Sequence, residues 1–174
     1  MARNIEIKAS LPDRAGTMAL AQALADGPAQ RIDQDDTFFD AARGRLKLRC
    51  TAEGAELIAY RRPDQDGPKL SEYWRSPVSD ADALREVLTQ ALGTLGRVQK
   101  LRWLLMVGRT RIHIDQVEGL GDFLELEVVL RDDEALEAGQ AEAQRLLAAL
   151  QVLPEQLQTG AYLDLLRGAA TRQP

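Results

Sequence analysis

A chain of 174 residues is long enough to bury one sizeable core and short for two. Its formal net charge of -5 argues against general nucleic-acid binding, and its single cysteine, Cys50, excludes an internal disulfide and a cysteine-rich metal site. No apolar run reaches the roughly 20 residues a membrane-spanning helix needs, and Met1 to Lys8 carry charge where a signal peptide needs its apolar stretch, so the expected location is the cytoplasm.

The elements follow from periodicity and punctuation. Residues 3 to 9 alternate Asn4, Glu6 and Lys8 against Ile5, Ile7 and Ala9, the pattern of a strand with one apolar face. Asp13 is placed to cap a helix over about 14 to 26, with Met18, Leu20, Ala21 and Leu24 as its apolar stripe, ended by Gly27 and Pro28. Residues 30 to 40 read as an acid-rich strand closing on Phe38 and Phe39. Strands follow at Arg45 to Arg49, Ala55 to Arg62 and Lys69 to Arg75, with the turn-rich segment Pro63 to Pro68 between the last two. Ser79 is the expected cap of a second helix over about 80 to 92. Residues 97 to 107 form a strand, and Gly108 turns it into a pair at Arg111 to Asp115 and Leu124 to Val128. A helix to about 150 follows the acidic segment 132 to 134, Ala161 to Leu166 form a short helix, and the tail from Gly168 is expected to be loose. Eight strands with mostly short connections imply antiparallel neighbours and are enough to close a barrel, with the helices flanking it.

The charged residues keep to one parity, strand after strand. The basic set is Lys8, Lys47, Arg49, Lys69, Lys100, Arg102 and Arg111, and the acidic set is Glu6, Asp115, Glu125 and Glu127. Alternate residues of a strand lie about 6.8 Å apart on one face. Glu125 and Glu127 can therefore converge on a metal, with Glu6 or Asp115 completing a carboxylate set for a hard cation such as Mg²⁺ or Mn²⁺. Facing cations would bind phosphate, arginine bidentately and lysine as a point charge. The competing reading is a solvated sheet face.

The ordered set resembles the CYTH family, which contains class IV adenylate cyclases and thiamine-triphosphatase-like enzymes. Glu6-Ile-Lys8 is similar to the second half of the family's ExExK opening, with Asn4 in place of its first glutamate. Lys47-Leu-Arg49, Lys69 and Lys100-Leu-Arg102 continue the match. It is closest, and nearest the class IV cyclase branch, in Val107 to Asp115 and Gly119 to Glu127. The resemblance spans about residues 3 to 166 of an expected single domain over 1 to 174. It implies an α+β fold, an eight-stranded antiparallel barrel forming a tunnel with charged side chains inside. It further implies a Mg²⁺- or Mn²⁺-dependent enzyme acting on ATP, thiamine triphosphate or tripolyphosphate, with homodimer formation plausible and neither nucleic acid nor membrane as partner. The leading expectation is an adenylate cyclase, with a triphosphate phosphohydrolase and a non-catalytic polyphosphate or nucleotide binder as alternatives.

Catalytic roles are assigned to Glu6, Lys8 and Arg111. Phosphate contacts fall to Lys8, Lys47, Arg49, Lys69, Lys100, Arg102, Arg111 and, between two adjacent arginines, Arg62. Metal ligation falls to Glu6, Asp115, Glu125 and Glu127. His113, the only histidine, is read as a bystander, Tyr162 as an ordinary packing residue, Cys50 as a small buried hydrophobe, and Asp35 and Asp36 as surface charge.

Overall fold

The computed structural model describes residues 2–61 and 69–170. Arg62 and the segment 63–68 lie outside them, as do residues 171–174. In chain order the elements are β1 (Ala2–Ser10), α1 (Arg14–Leu24), β2 (Gln30–Phe39), β3 (Arg45–Thr51), β4 (Gly54–Arg61), β5 (Lys69–Val78), α2 (Ala81–Leu92), β6 (Thr94–Val107), β7 (Thr110–Val117), β8 (Gly121–Leu130), α3 (Leu136–Ala149), a 3₁₀ turn (Pro154–Gln156), β9 (Leu157–Gln158) and α4 (Tyr162–Ala170). Asp13 caps α1 as expected, its carboxylate accepting from the Gly16 amide at 3.0 Å. The cap of α2 is Asp80 and not Ser79, since the Asp80 carboxylate accepts from the Ala83 amide at 2.9 Å. The expected loose tail is helical through Ala170.

The strands form a closed antiparallel barrel. Neighbours run β5-β4-β3-β2-β6-β7-β8-β1, and β1 pairs back onto β5 over Ala2↔Tyr73 to Glu6↔Lys69. Beyond Glu6, where β5 has not yet begun, the two-residue β9 takes over that edge through Lys8↔Gln158 and Ala9↔Leu157. This ninth strand was not expected; two residues carry no readable period. Closure leaves no long unpaired edge among the eight main strands.

Alternation then sorts the side chains into two environments. Ile5, Ile7, Ile112, Ile114, Leu124, Leu126 and Val128 point outward and pack with Ala21 of α1 and Ala143 and Leu146 of α3. Each fully buried aliphatic chain of this kind contributes about 1.5–3 kcal/mol. The main apolar core therefore lies outside the barrel, between its wall and the helices, and the interior is left to the polar parity. A second cluster, Phe38, Val98, Val117 and Phe123 with Tyr162 and Leu163, fills the barrel end beneath α4. Gly96 permits that seal: a Cβ there would lie 2.6 Å from Leu163 Cδ1. Among the described residues no helix is long and apolar enough to cross a membrane.

The docking of α3 depends on Gly139, where an added Cβ would lie 2.6 Å from Leu130 Cδ2 and 2.9 Å from Ile5 Cγ1. Gly139→Val should lower stability by about 1–3 kcal/mol, because the helix must lift off β1 and β8. Denaturant unfolding measures this; an unchanged midpoint would mean that α3 is not seated so closely.

Candidate functional site

The inward parity lines one cavity of ≈ 320 Å³ within the barrel. Its acidic side comes from β1, β7 and β8. Register places Glu125 between Lys8 and His113, and Glu127 between Glu6 and Arg111. His113 Nδ1 lies 3.9 Å from Glu125 Oε1 and 3.9 Å from Glu127 Oε1, too far for a hydrogen bond, and it has no hydrogen-bond partner. Burial, and then the Arg102 guanidinium, lower the His113 pKa, so the imidazole is neutral and offers a lone pair. Burial would raise the Glu125 pKa, but Lys8 and Arg102 outweigh it and hold this carboxyl well below its usual range.

Ligand atoms of His113, Glu125 and Glu127 all lie within 4.8 Å of one another. A buried ring nitrogen without a partner beside two carboxylates is a donor set that fits a divalent cation; carboxylate oxygens suit Mg²⁺ and Mn²⁺, and imidazole suits the transition metals. This brings His113 into the site, where the sequence reading left it out. Glu6 also lines the cavity. Asp115, expected as a ligand, is fully buried and is not part of the cavity lining. Its carboxylate is taken by Arg102 (2.7 and 2.6 Å), Lys100 (3.1 Å) and the Tyr162 hydroxyl (2.8 Å). Burial raises its pKa, and Arg102 and Lys100 more than reverse that, so it is an ionised anchor for two cations.

The basic side comes from β3 and β6. Lys47, Arg49, Lys100 and Arg102 line the cavity, together with Lys8, Arg111 and Arg75. Lys47 and Arg49 are anchored by Asp36, which is 2% exposed and not the surface charge expected. Arg49 donates to it through Nε and Nη2 at 2.8 Å each, and Lys47 Nζ donates at 2.8 Å. Burial pushes the Asp36 pKa up, but Lys47 and Arg49 overcome this and hold it far below the usual carboxylate range. Asp35, of opposite parity, pairs with Arg97 outside. Lys69, expected among the phosphate contacts, is not in the lining; its ammonium donates to the carbonyls of Gln158 and Thr159, tying β9 to β5. Arg62 lies outside the described residues.

Set against known proteins, the CYTH domain model matches residues 2–162. Adenylate cyclase CyaB of Aeromonas hydrophila is 27% identical, over 96% of this chain and 90% of that protein. In fold, a solved structure of Pyrococcus horikoshii, the PH1012 protein, superposes with a TM-score of 0.82 at 19% identity, covering 93% of this chain and 98% of that one. A Hippeastrum adenylyl cyclase homologue, whose structure is described as revealing a dominant triphosphatase activity, superposes with a TM-score of 0.68 at 16% identity, covering 97% and 96% of the two chains.

Two predictions follow from the anchors. Asp115→Asn removes the carboxylate that two buried cations share, leaving only the more distant Glu125, 3.6 Å from Arg102, and should cost on the order of 3 kcal/mol. Glu127→Gln removes a half-open pair with Arg111 and should cost no more than about 1 kcal/mol. Equal losses on thermal unfolding would refute the division into anchor and ligand.

The second concerns Lys47, whose pKa falls from 10.5 to about 8 through burial and then repulsion from Arg49. Between those values the unfolded chain binds more protons, so this group makes stability rise with pH across that window. A bound polyanion reverses the shift. Calorimetry near pH 8 in buffers of different ionisation enthalpy should therefore show proton uptake on tripolyphosphate binding that is reduced in Lys47→Gln. Identical uptake in both would assign the proton elsewhere.

Proposed function

The chain belongs to the CYTH domain family, and from that premise we propose a divalent-metal-dependent enzyme acting on a triphosphate, class IV adenylate cyclase-like, converting ATP to cyclic AMP and pyrophosphate. The observation that carries the reading is the pairing, in one cavity, of a cationic wall (Lys47, Arg49, Lys100, Arg102) with the His113, Glu125 and Glu127 cluster. A pure anion binder has little use for that cluster. A bound Mg²⁺ or Mn²⁺ would supply Lewis-acid stabilisation of phosphate oxygens.

The chain's own residues do the rest. Glu125 and Glu127, with His113 and with Glu6 nearby, would hold the metal. Lys8, Lys47, Arg49, Lys100, Arg102 and Arg111 would bind the phosphate oxygens and offset charge in the transition state. Asp36 and Asp115 keep the guanidinium planes of Arg49 and Arg102 fixed, so little ordering remains to be done on binding. In the cyclase reaction the ribose 3′-oxygen bonds to the α-phosphorus, its proton is lost, and the bond to the bridging oxygen breaks to release pyrophosphate.

An apolar patch supports a nucleoside triphosphate over an inorganic one. Leu104 is the register partner of His113, and Ile32 is that of Arg102; both line the cavity. An organic group resting there would bring the α-phosphorus next to the acidic cluster.

The alternative reading is a phosphohydrolase that releases orthophosphate from tripolyphosphate or thiamine triphosphate. Asn4 favours it. It is 4% exposed with an unpartnered Oδ1, and it supplies no charge where the resembling motif has a glutamate.

Product analysis after incubation with Mg²⁺ or Mn²⁺ and, separately, ATP, tripolyphosphate and thiamine triphosphate tests both. Cyclic AMP with pyrophosphate is the expected outcome, orthophosphate would establish the hydrolase instead, and no turnover of any substrate would dismiss both enzymes. Glu125→Gln and Glu127→Gln should each lower turnover more than about tenfold, a larger effect than on thermal stability. Full activity in both variants would remove the cluster from the mechanism.

A further inference from the structure

The side chain that reaches most of the buried charge is not on a main strand. Tyr162 opens α4 and lines the floor of the cavity. Its hydroxyl donates to Asp115 Oδ2 at 2.8 Å, and that carboxylate in turn holds Arg102 and Lys100. Its ring centroid lies 4.1 Å from Lys8 Nζ and 4.7 Å from Lys100 Nζ. The residue is 6% exposed, and its ring is itself held edge-on by Phe123, with centroids 5.1 Å apart.

An ammonium on a four-carbon stem is a mobile charge. A second carboxylate beside it would fix it but cancel the charge that a phosphate needs. An aromatic face attracts the cation through its quadrupole and leaves the net charge in place. The helix that carries the ring is moored independently of the cations, by Leu163 against Gly96, by Arg167 donating to the Leu95 carbonyl at 2.8 Å, and by Arg45 with Asp164 at 2.9 Å.

We propose that Tyr162 is a positioning residue for the phosphate site, its ring holding the ammonium groups of Lys8 and Lys100 toward the cavity and its hydroxyl fixing the carboxylate that orients Arg102. The proposal rests on the cavity's binding a triphosphate. It makes α4 a working part of the site as well as a seal.

The test compares the full-length wild type with Tyr162→Phe, Tyr162→Leu and Leu163→Ala, measuring tripolyphosphate affinity by calorimetry and the unfolding midpoint of each. Tyr162→Leu removes ring and hydroxyl and should weaken binding about tenfold or more. Tyr162→Phe keeps the ring and should weaken it about threefold. Leu163→Ala loosens the same helix without touching a cation and should change affinity less than about twofold. The proposal is overturned if both Tyr162 variants bind within twofold of wild type. It is equally overturned if Leu163→Ala loses as much affinity as Tyr162→Leu, since packing alone would then account for the loss. Should Tyr162→Leu fail to fold, Tyr162→Phe decides by its affinity. A wild type that binds no tripolyphosphate would instead refute the triphosphate reading, a result separable from any difference among variants.

Discussion

Everything in this fold depends on keeping like charges apart inside a closed barrel. Among the described residues, seven cations and four carboxylates line one cavity. Taking such groups out of water costs several kcal/mol each unless they are paired and hydrogen-bonded. Two buried aspartates meet that requirement for four of the cations, while Lys8 pairs with Glu125 and Arg111 with Glu127. Asp36 binds Lys47 and Arg49, and Asp115 binds Lys100 and Arg102. Each anchor sits across a strand pair from its arginine, Asp36↔Arg49 and Arg102↔Asp115, so backbone register fixes the contact. The two anchored pairs occupy the four adjacent strands β3, β2, β6 and β7, and each guanidinium keeps one plane.

The location of the apolar core is the other half of the same arrangement. A barrel whose interior carries charge cannot be stabilised from within, so the stabilising burial is moved outside, to the interface with α1 and α3. Inside, the apolar side chains gather at the end beneath α4, with Ile32, Ile58 and Leu104 as further apolar lining of the cavity. The separation has a functional consequence. Residues that hold the fold and residues that face the cavity alternate along the same strands, so an inward side chain can be exchanged without unpacking the helices. Tyr162 bridges the two regimes, its ring lying in the apolar floor and its hydroxyl in the charge network.

Most of the barrel was legible because period two is a local signal. Glu6 and Lys8, Lys47 and Arg49, Lys100 and Arg102, and Glu125 and Glu127 each declared their shared face from spacing alone, and the structure puts all eight on the cavity. What spacing cannot give is who stands opposite. Asp35 and Asp36 are adjacent acids in a strand of mixed polarity, and only the partner strand decides that Asp36 goes inward. Asp115 and Glu125 have the same parity, yet their depth differs, because Asp115 is level with Phe123 near the sealed end. Lys69 shares its parity with Ser71 and Tyr73, which do line the cavity, but it lies where β5 starts and β9 replaces it. The place of His113 depends on pairing too, since β8 sets Glu125 opposite it and Glu127 diagonal to it. Tyr162 lies 47 residues beyond Asp115 on a helix, a contact no strand pattern contains.

The net charge of the whole chain pointed the other way from the site it encloses. At -5 the chain as a whole would repel a polyanion, whereas the described lining of the cavity carries an excess of cations. Low-dielectric walls concentrate that local field and limit its screening by salt, and the surface acids act mainly at distances where salt already weakens them. A phosphate chain small enough to enter would meet cations that Asp36 and Asp115 hold in place. Pairing by Asp36 and Asp115 tempers the excess without abolishing it, because each anchor shares one negative charge between two cations. The remaining positive charge is what a phosphate chain would neutralise, so the interactions that stabilise the empty barrel only in part would be completed by its substrate.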